Sequence, residues 1–375
     1  MGEGYATGPM APTTVADWLT VLDELYPPAW AEEWDSVGLQ VGDRTWPAVR
    51  ALVALDPTAD VVAEASARDC AVIVTHHPLV FRPLPRLDLA DPVARTAATA
   101  AERGVAVVAA HTNADVARPG VSDALADVLG LEVTGVLHPT GGGARVKLAT
   151  FVPPESTGKV LDAVATAGGG VIGEYTHCSF RVRGTGTFAP SESAAPAVGE
   201  RGALNEVEED RLEIIVPRER LTAAVEALLD AHPYEEVAYD VYVLGAGTGL
   251  GLGRVARPPE PLSAADLAER CRSTLGSAVR VAGDQTRRVE RVALCGGSGA
   301  SLIADALRAG TDAYVTGDVK HHDALDAAAA GLTVIDAGHH GTEAPFVPRL
   351  GARLGEAGIG EVLVSEIATD PFTTA

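Results

Sequence analysis

AVIVTHHPLV, residues 71–80, sets five apolar or β-branched residues directly before two histidines. A run this short and apolar at every position reads as a strand buried on both faces, as in a parallel sheet covered by helices. The same kind of run returns at 51–55 (ALVAL), 105–110 (VAVVAA), 292–295 (VALC), 313–316 (AYVT), 332–336 (LTVID) and 362–364 (VLV). Alanine-rich stretches with helical spacing lie between many of them, at 58–68, 93–103, 301–309 and 322–330. Strands alternating with helices make the fold class α/β, a layered host domain.

The middle of the chain has another rhythm. From 146 to 244 come VKLATFVP, a helical stretch near 157–167, CSFRVRGTGTFAP, RLEIIVP, a helix near 218–231 and VAYDVYVL. That order is β-α-β-β-α-β, a ferredoxin-like α+β domain. Residues 189–206 read as an irregular loop inside it, and glycine-rich stretches at 141–143 and 245–253 punctuate its ends. The expected division is therefore 1–144, the first half of the host; 145–246, the insert; and 247–375, the second half, the two halves enclosing a cleft.

Composition bounds the function. With 29 Lys and Arg against 51 Asp and Glu the net charge is −22, which argues against direct binding to nucleic acid or an anionic membrane, since both require a positive field. Cys70, Cys178, Cys271 and Cys295 are scattered with no C-x-x-C pair, so neither a disulfide scaffold nor a cysteine-rich zinc site is expected. The N-terminal MGEGYATGPMAPTT lacks the basic and apolar regions of a secretory signal, and Ala6 stands where a myristoylation signal needs Ser or Thr. No apolar run is long enough to span a bilayer, and the expected compartment is the cytoplasm.

The ten histidines are clustered. His76–His77 and His339–His340 directly follow apolar strands, His111 and Asp115 follow a third, and His321–His322 stand shortly after Asp318 at the end of a fourth. Loops at the carboxyl ends of strands in open α/β sheets converge on one crevice, so these groups point to a metal site. Adjacent residues of an extended chain face opposite ways, so His76 and His77 would each hold one ion of a pair. His339 and Glu343 are four apart and share a face if a helix begins there. Imidazole and carboxylate without thiolate suit Zn, Fe, Mn, Co or Ni alike. Asp318 could instead cap the helix after it. His232, in HPYEE, reads as a structural turn in the insert, and His138 is given no role. CGGSGAS (295–301) is either an anion-holding loop or a tight strand-to-helix turn; it matches neither a P-loop nor G-x-G-x-x-G.

These blocks carry a resemblance. THHPLVF (75–81), HTNAD (111–115), CGGSG (295–299), TGD (316–318) and GHHGTE (338–343) resemble the signatures of the NGG-one-interacting-factor-three-like family, whose members are often labelled GTP cyclohydrolase 1 type 2 homologs. EEWDSVGLQVG (32–42) is similar to its N-terminal block, with Ser36 where Asn is usual. AGGGVIGEYTHCSF (167–180), GTGTFAP (184–190) and HPYEEVAYDVY (232–242) resemble the PII- or CutA-like domain inserted in longer bacterial members, with Glu174 where many have Asn. The resemblance implies a hexameric toroid with two divalent metal ions per subunit, and ligands at His76, His77, Asp115, His339 and Glu343. His111 and His322 match nearby histidines that would transfer protons, and Asp35 and Asp56 match acidic positions without an assigned role. The leading functional expectation is metal-dependent hydrolysis of a small molecule, a nucleotide or a cyclic amide, as in a GTP cyclohydrolase. Its rivals are a non-catalytic metal-storing, metal-delivering or regulatory hexamer and a two-metal phosphoesterase.

Overall fold

The computed structural model describes residues 13–140, 145–244 and 249–373. These fall into two compact units, 13–140 with 249–373 and 145–244. The N-terminal stretch to residue 12, residue 144 at one expected boundary, residues 246 and 247 at the other, and glycines 141–143 lie outside the described residues.

The first unit is built on two large sheets, beside a two-stranded pair of Leu262–Ser263 and Arg288–Val289. One has five strands in the order Gly38–Val41, Ala106–Ala109, Val72–Thr75, Arg50–Ala54 and Glu361–Val364. Its last four strands run parallel, and Gly38–Val41 is antiparallel to its neighbour. Side chains alternate across each strand, so the apolar runs feed two cores. Ala51, Val53, Val72, Val74, Ala106 and Val108 pack on one face with Trp18 and Phe346. Leu52, Ala54, Ile73 and Val107 pack on the other with Val61, Val62 and Ala100. The covering helices begin where their caps dictate. Thr58 accepts from Val61 N–H at the start of Ala59–Ala67, and Asp91 accepts from Val93 and Ala94 N–H before Pro92–Glu102, with proline in the first turn.

The second sheet has six strands in the order Arg280–Ala282, Thr333–Asp336, Ala313–Gly317, Val292–Ser298, Gly251–Arg257 and Glu132–Pro139. Its three central members, Val292–Ser298, Ala313–Gly317 and Thr333–Asp336, are parallel. The fully buried Arg254 donates to Asp123 and to the carbonyls of Gly251, Gly253 and Ala117, so its charge is paired and every arm is occupied.

One strand runs further than its apolar run. Val292–Ser298 continues through Gly296 and Gly297, because Ser298 pairs with Gly317 and hydroxyls of neighbouring segments take up the glycine amides.

In the second unit the elements are Arg145–Val152, Thr157–Thr166, Ser179–Phe188, Asn205–Pro217, Leu221–Ala231 and Tyr239–Val243. The sheet is antiparallel in the order Ser179–Phe188, Asn205–Pro217, Arg145–Val152, Tyr239–Val243, which is the ferredoxin-like arrangement. Both helices pack on one face, through Val160, Val164, Ala224 and Leu228 against Leu148, Leu212 and Ile214. The strand at Asn205–Pro217 starts six residues before RLEIIVP, so the irregular segment is shorter than 189–206. Along the acidic NEVEED, Arg183 on the partner strand pairs with Asp210 at 2.6 Å and with Glu208. Cross-strand opposite charges support that extension.

Candidate metal centre

The carboxyl ends of strands in both sheets of the first unit bring the chemistry together. Val72–Thr75 is followed by His76 and His77, Ala106–Ala109 by His111, and Thr333–Asp336 by the short helix His339–Glu343. Asp115 lies on the helix Thr112–Val116.

His76 and His77 do not face opposite ways. The strand ends at Thr75, whose hydroxyl donates to the His77 carbonyl, and the chain turns there. Both rings then face Glu343. His77 Nε2 is 3.0 Å from Glu343 Oε2, and His76 Nε2 is 3.6 Å from Oε1. His339 Nε2 is 3.1 Å from the same Oε2 and 3.3 Å from His77 Nε2. Ligands about 2.0–2.1 Å from a common tetrahedral centre stand roughly 3.3 Å apart, so His77, His339 and Glu343 match the edges of such a set. A second group comprises His76, His77 and His111, whose donor atoms lie within 4.8 Å of one another. Asp115 Oδ1 is 3.8 Å from His76 Nε2.

Each ring is held from behind. His77 Nδ1 donates to Asp56 at 2.7 Å, His339 Nδ1 to Asp318 at 2.7 Å, and His111 Nδ1 to Asp35 at 2.8 Å. His76 Nδ1 donates to the Ala110 carbonyl at 3.0 Å. With the proton on Nδ1, every Nε2 presents a lone pair inward. Carboxylate–histidine pairs of this kind orient ligands and raise their basicity at metal sites. The inward atoms have no donor of their own: His76 Nε2 and Glu343 Oε2 are buried without a hydrogen-bond partner. A cation satisfies such a set, and the residues present fit one.

The electrostatics agree. Burial pushes the His77 imidazole down, but the Asp56 and Glu343 carboxylates beside it outweigh that and raise it to about 10. His339 rises to about 9, mainly through the Glu343 carboxylate beside it. Burial opposes ionisation of Glu343, yet the surrounding histidines hold it well below the usual carboxylate range. Burial raises Asp115. The rings thus bind protons tightly where concentrated negative charge calls for a cation.

Glycine makes the approach possible. A Cβ on Gly297, at φ +66°, would lie 2.1 Å from Glu343 Oε1. CGGSG is no phosphate cradle. Gly296, Gly297 and Gly299 N–H donate to Ser122, Thr342 and Thr316 hydroxyls, so three of its amides are already engaged.

Three sequence readings change here. Asp318 caps nothing: the next helix, His321–Ala329, has Lys320 at its N-cap, and Asp318 holds His339 instead. Asp35 and Asp56 gain a role as holders of His111 and His77. His322 is not brought into either cluster; it sits exposed in the first turn of His321–Ala329, its ring edge-on to His321 at 5.2 Å. His232 is a structural turn: Nε2 donates to the Phe151 carbonyl and Nδ1 accepts from Tyr234 N–H. Strand-end position was the available signal for Asp318, two residues beyond Thr316 in the strand beside the one that leads to His339.

Comparison with known proteins extends over nearly the whole chain. The GTP cyclohydrolase 1 type 2 homolog of Mycobacterium leprae is 40% identical over 368 residues, covering 96% of this chain and 94% of that protein. The crystal structure of a Bacillus cereus protein related to NIF3 is 37% identical with a TM-score of 0.70, covering 97% of this chain and all of that one. Staphylococcus aureus protein SA1388 is 30% identical with a TM-score of 0.79, covering 98% of this chain and all of that one. The family model for Duf34/NIF3 (NGG1p interacting factor 3) matches residues 13–371, a span that holds every histidine and carboxylate of the cluster, and the chain belongs to that family.

Proposed function

We propose that this protein is a metal-dependent hydrolase that holds two divalent ions and breaks a C–N bond in a small cyclic amide or a nucleotide ring. The observation that carries the reading is the inward set of Nε2 lone pairs gathered around Glu343, with each ring fixed from behind. His77, His339 and Glu343 Oε2 would hold one ion; His76, Asp115 and Glu343 Oε1 would hold the other. Such ions lower the pKa of coordinated water toward about 7 and polarise a carbonyl. The chain's own part is to fix the ligands and to move protons. His111, held at Nδ1 by Asp35, lines the cleft with Nε2 free to take or give a proton. His322 keeps a proton-transfer role only if it reaches the substrate in the assembly, which we propose to be a cytoplasmic homohexamer. Direct nucleic-acid binding has no place in this reading, given the charge of −22.

The test is a panel of nucleotides and cyclic amides assayed with metal-reconstituted protein. The expected result is saturable turnover that falls at least a hundredfold in His339→Ala, together with loss of bound metal. Full turnover without metal removes the metal from the mechanism. Tight metal exchange with a partner protein and no turnover on any substrate supports a metal carrier instead.

A further inference from the structure

We propose that the cleft over the metal cluster takes an uncharged planar heteroaromatic ring rather than a nucleoside triphosphate; this rests on the metal-site reading above and narrows its substrate. The cleft has a volume of about 640 Å³, within the usual range for small-molecule sites. Two large aromatic side chains stand at it in the open. Trp34 is 60% and Phe81 49% exposed, and their rings meet edge to face at 5.8 Å. Both flank His111, each with its centroid 6.2 Å from the imidazole. His111 in turn lies 5.2 Å from His76 and 5.6 Å from His77, ring to ring. A flat ring stacked on one of the two, beside His111, would lie next to the clustered histidines. Leu252, Cys295 and Leu302 supply an apolar lining as well.

The same cleft offers a polyphosphate little beyond the hydroxyls of Ser298 and Ser301. No lysine or arginine occurs among the described residues that line it. The glycine amides that would cradle a phosphate are engaged by Ser122, Thr342 and Thr316. Glu32, Asp35, Asp56, Asp115, Asp318 and Glu343 place six carboxylates in or directly behind the site, against four positive charges on two divalent ions. Two divalent ions held there would have more carboxylates than their own charge around them, which disfavours a triphosphate against an uncharged ligand.

The test titrates metal-loaded protein by calorimetry with hypoxanthine, pterin and 2-pyridone, and with inosine triphosphate, which carries the hypoxanthine ring on a charged tail. Bound metal and oligomeric state are measured on the same samples. At least one neutral ring is expected to bind more than tenfold tighter than inosine triphosphate. Trp34→Ala and Phe81→Ala are each expected to weaken it about tenfold, the usual loss for removing a base–aromatic stack, with metal content unchanged and Trp34→Phe restoring affinity. Tighter binding of inosine triphosphate, no binding of any neutral ring, or unchanged affinity in both alanine variants overturns the proposal. So does a change of oligomeric state in Trp34→Ala without a change in affinity, which assigns the aromatic pair to a subunit contact. If wild-type protein holds no metal, the metal reading fails separately, and the ring preference is judged by the same titration on that protein.

Discussion

At His77, His111 and His339 an aspartate accepts the hydrogen bond of one ring nitrogen and so decides where the other points. The clustered residues were legible in the sequence, because strand-end histidines and carboxylates are few and clustered. Their holders were not. Asp56 and His77 are 21 residues apart, and Asp35 and His111 are 76 apart, so no local spacing announces the pair. Helix capping, a local rule, misled at Asp318, where a long-range bond to a ring won. Removing such a holder frees the ring to rotate and lowers its basicity. Asp56→Ala and Asp318→Ala are each expected to weaken metal binding by about 10–100-fold with the fold retained, read by competition against a chelator. Unchanged affinity in both would leave the aspartates without a positioning role.

At the scale of elements, the parallel strands were visible as apolar runs, since burial on both faces erases the polar alternation. The end of Val292–Ser298 was not visible, because glycine signals a turn unless neighbouring side chains satisfy its amides. Gly297 is where that strand lets Glu343 approach. Gly297→Ala places a methyl group 2.1 Å from Glu343 Oε1 in a left-handed backbone region, so it is expected to displace the carboxylate and abolish tight metal binding. Gly130→Ala is the control: its φ is +64° but a Cβ there meets nothing within 4 Å. It should cost about 1–2 kcal/mol of stability and leave metal affinity intact. Thermal melts and metal titration of the two variants separate backbone strain from site disruption. The acidic strand start at Asn205 was missed for a related reason, since its arginine partner, Arg183, lies on another strand.

At the scale of the molecule, the chain carries two compact units with their own cores, and they respond to different variables. In the unit 145–244, burial holds the neutral form of His232 and lowers its pKa below 6.5, against the opposing charge of nearby Glu209. The unfolded chain then binds the proton first as pH falls, so stability rises with pH in this range. Stability from this group is expected to fall as pH drops below about 6.5 and to level off once the folded ring also protonates. Hydrogen exchange of the strand Arg145–Val152 should report it, and His232→Gln, which keeps a donor for Phe151, should flatten it. In the first unit the proposed governing variable is metal. The most direct measurement is the metal content of the purified protein by mass spectrometry after mild chelation, beside His76→Ala and His339→Ala. About two divalent ions per chain are expected, falling by about one in each variant. Substoichiometric metal that neither substitution changes would contradict it.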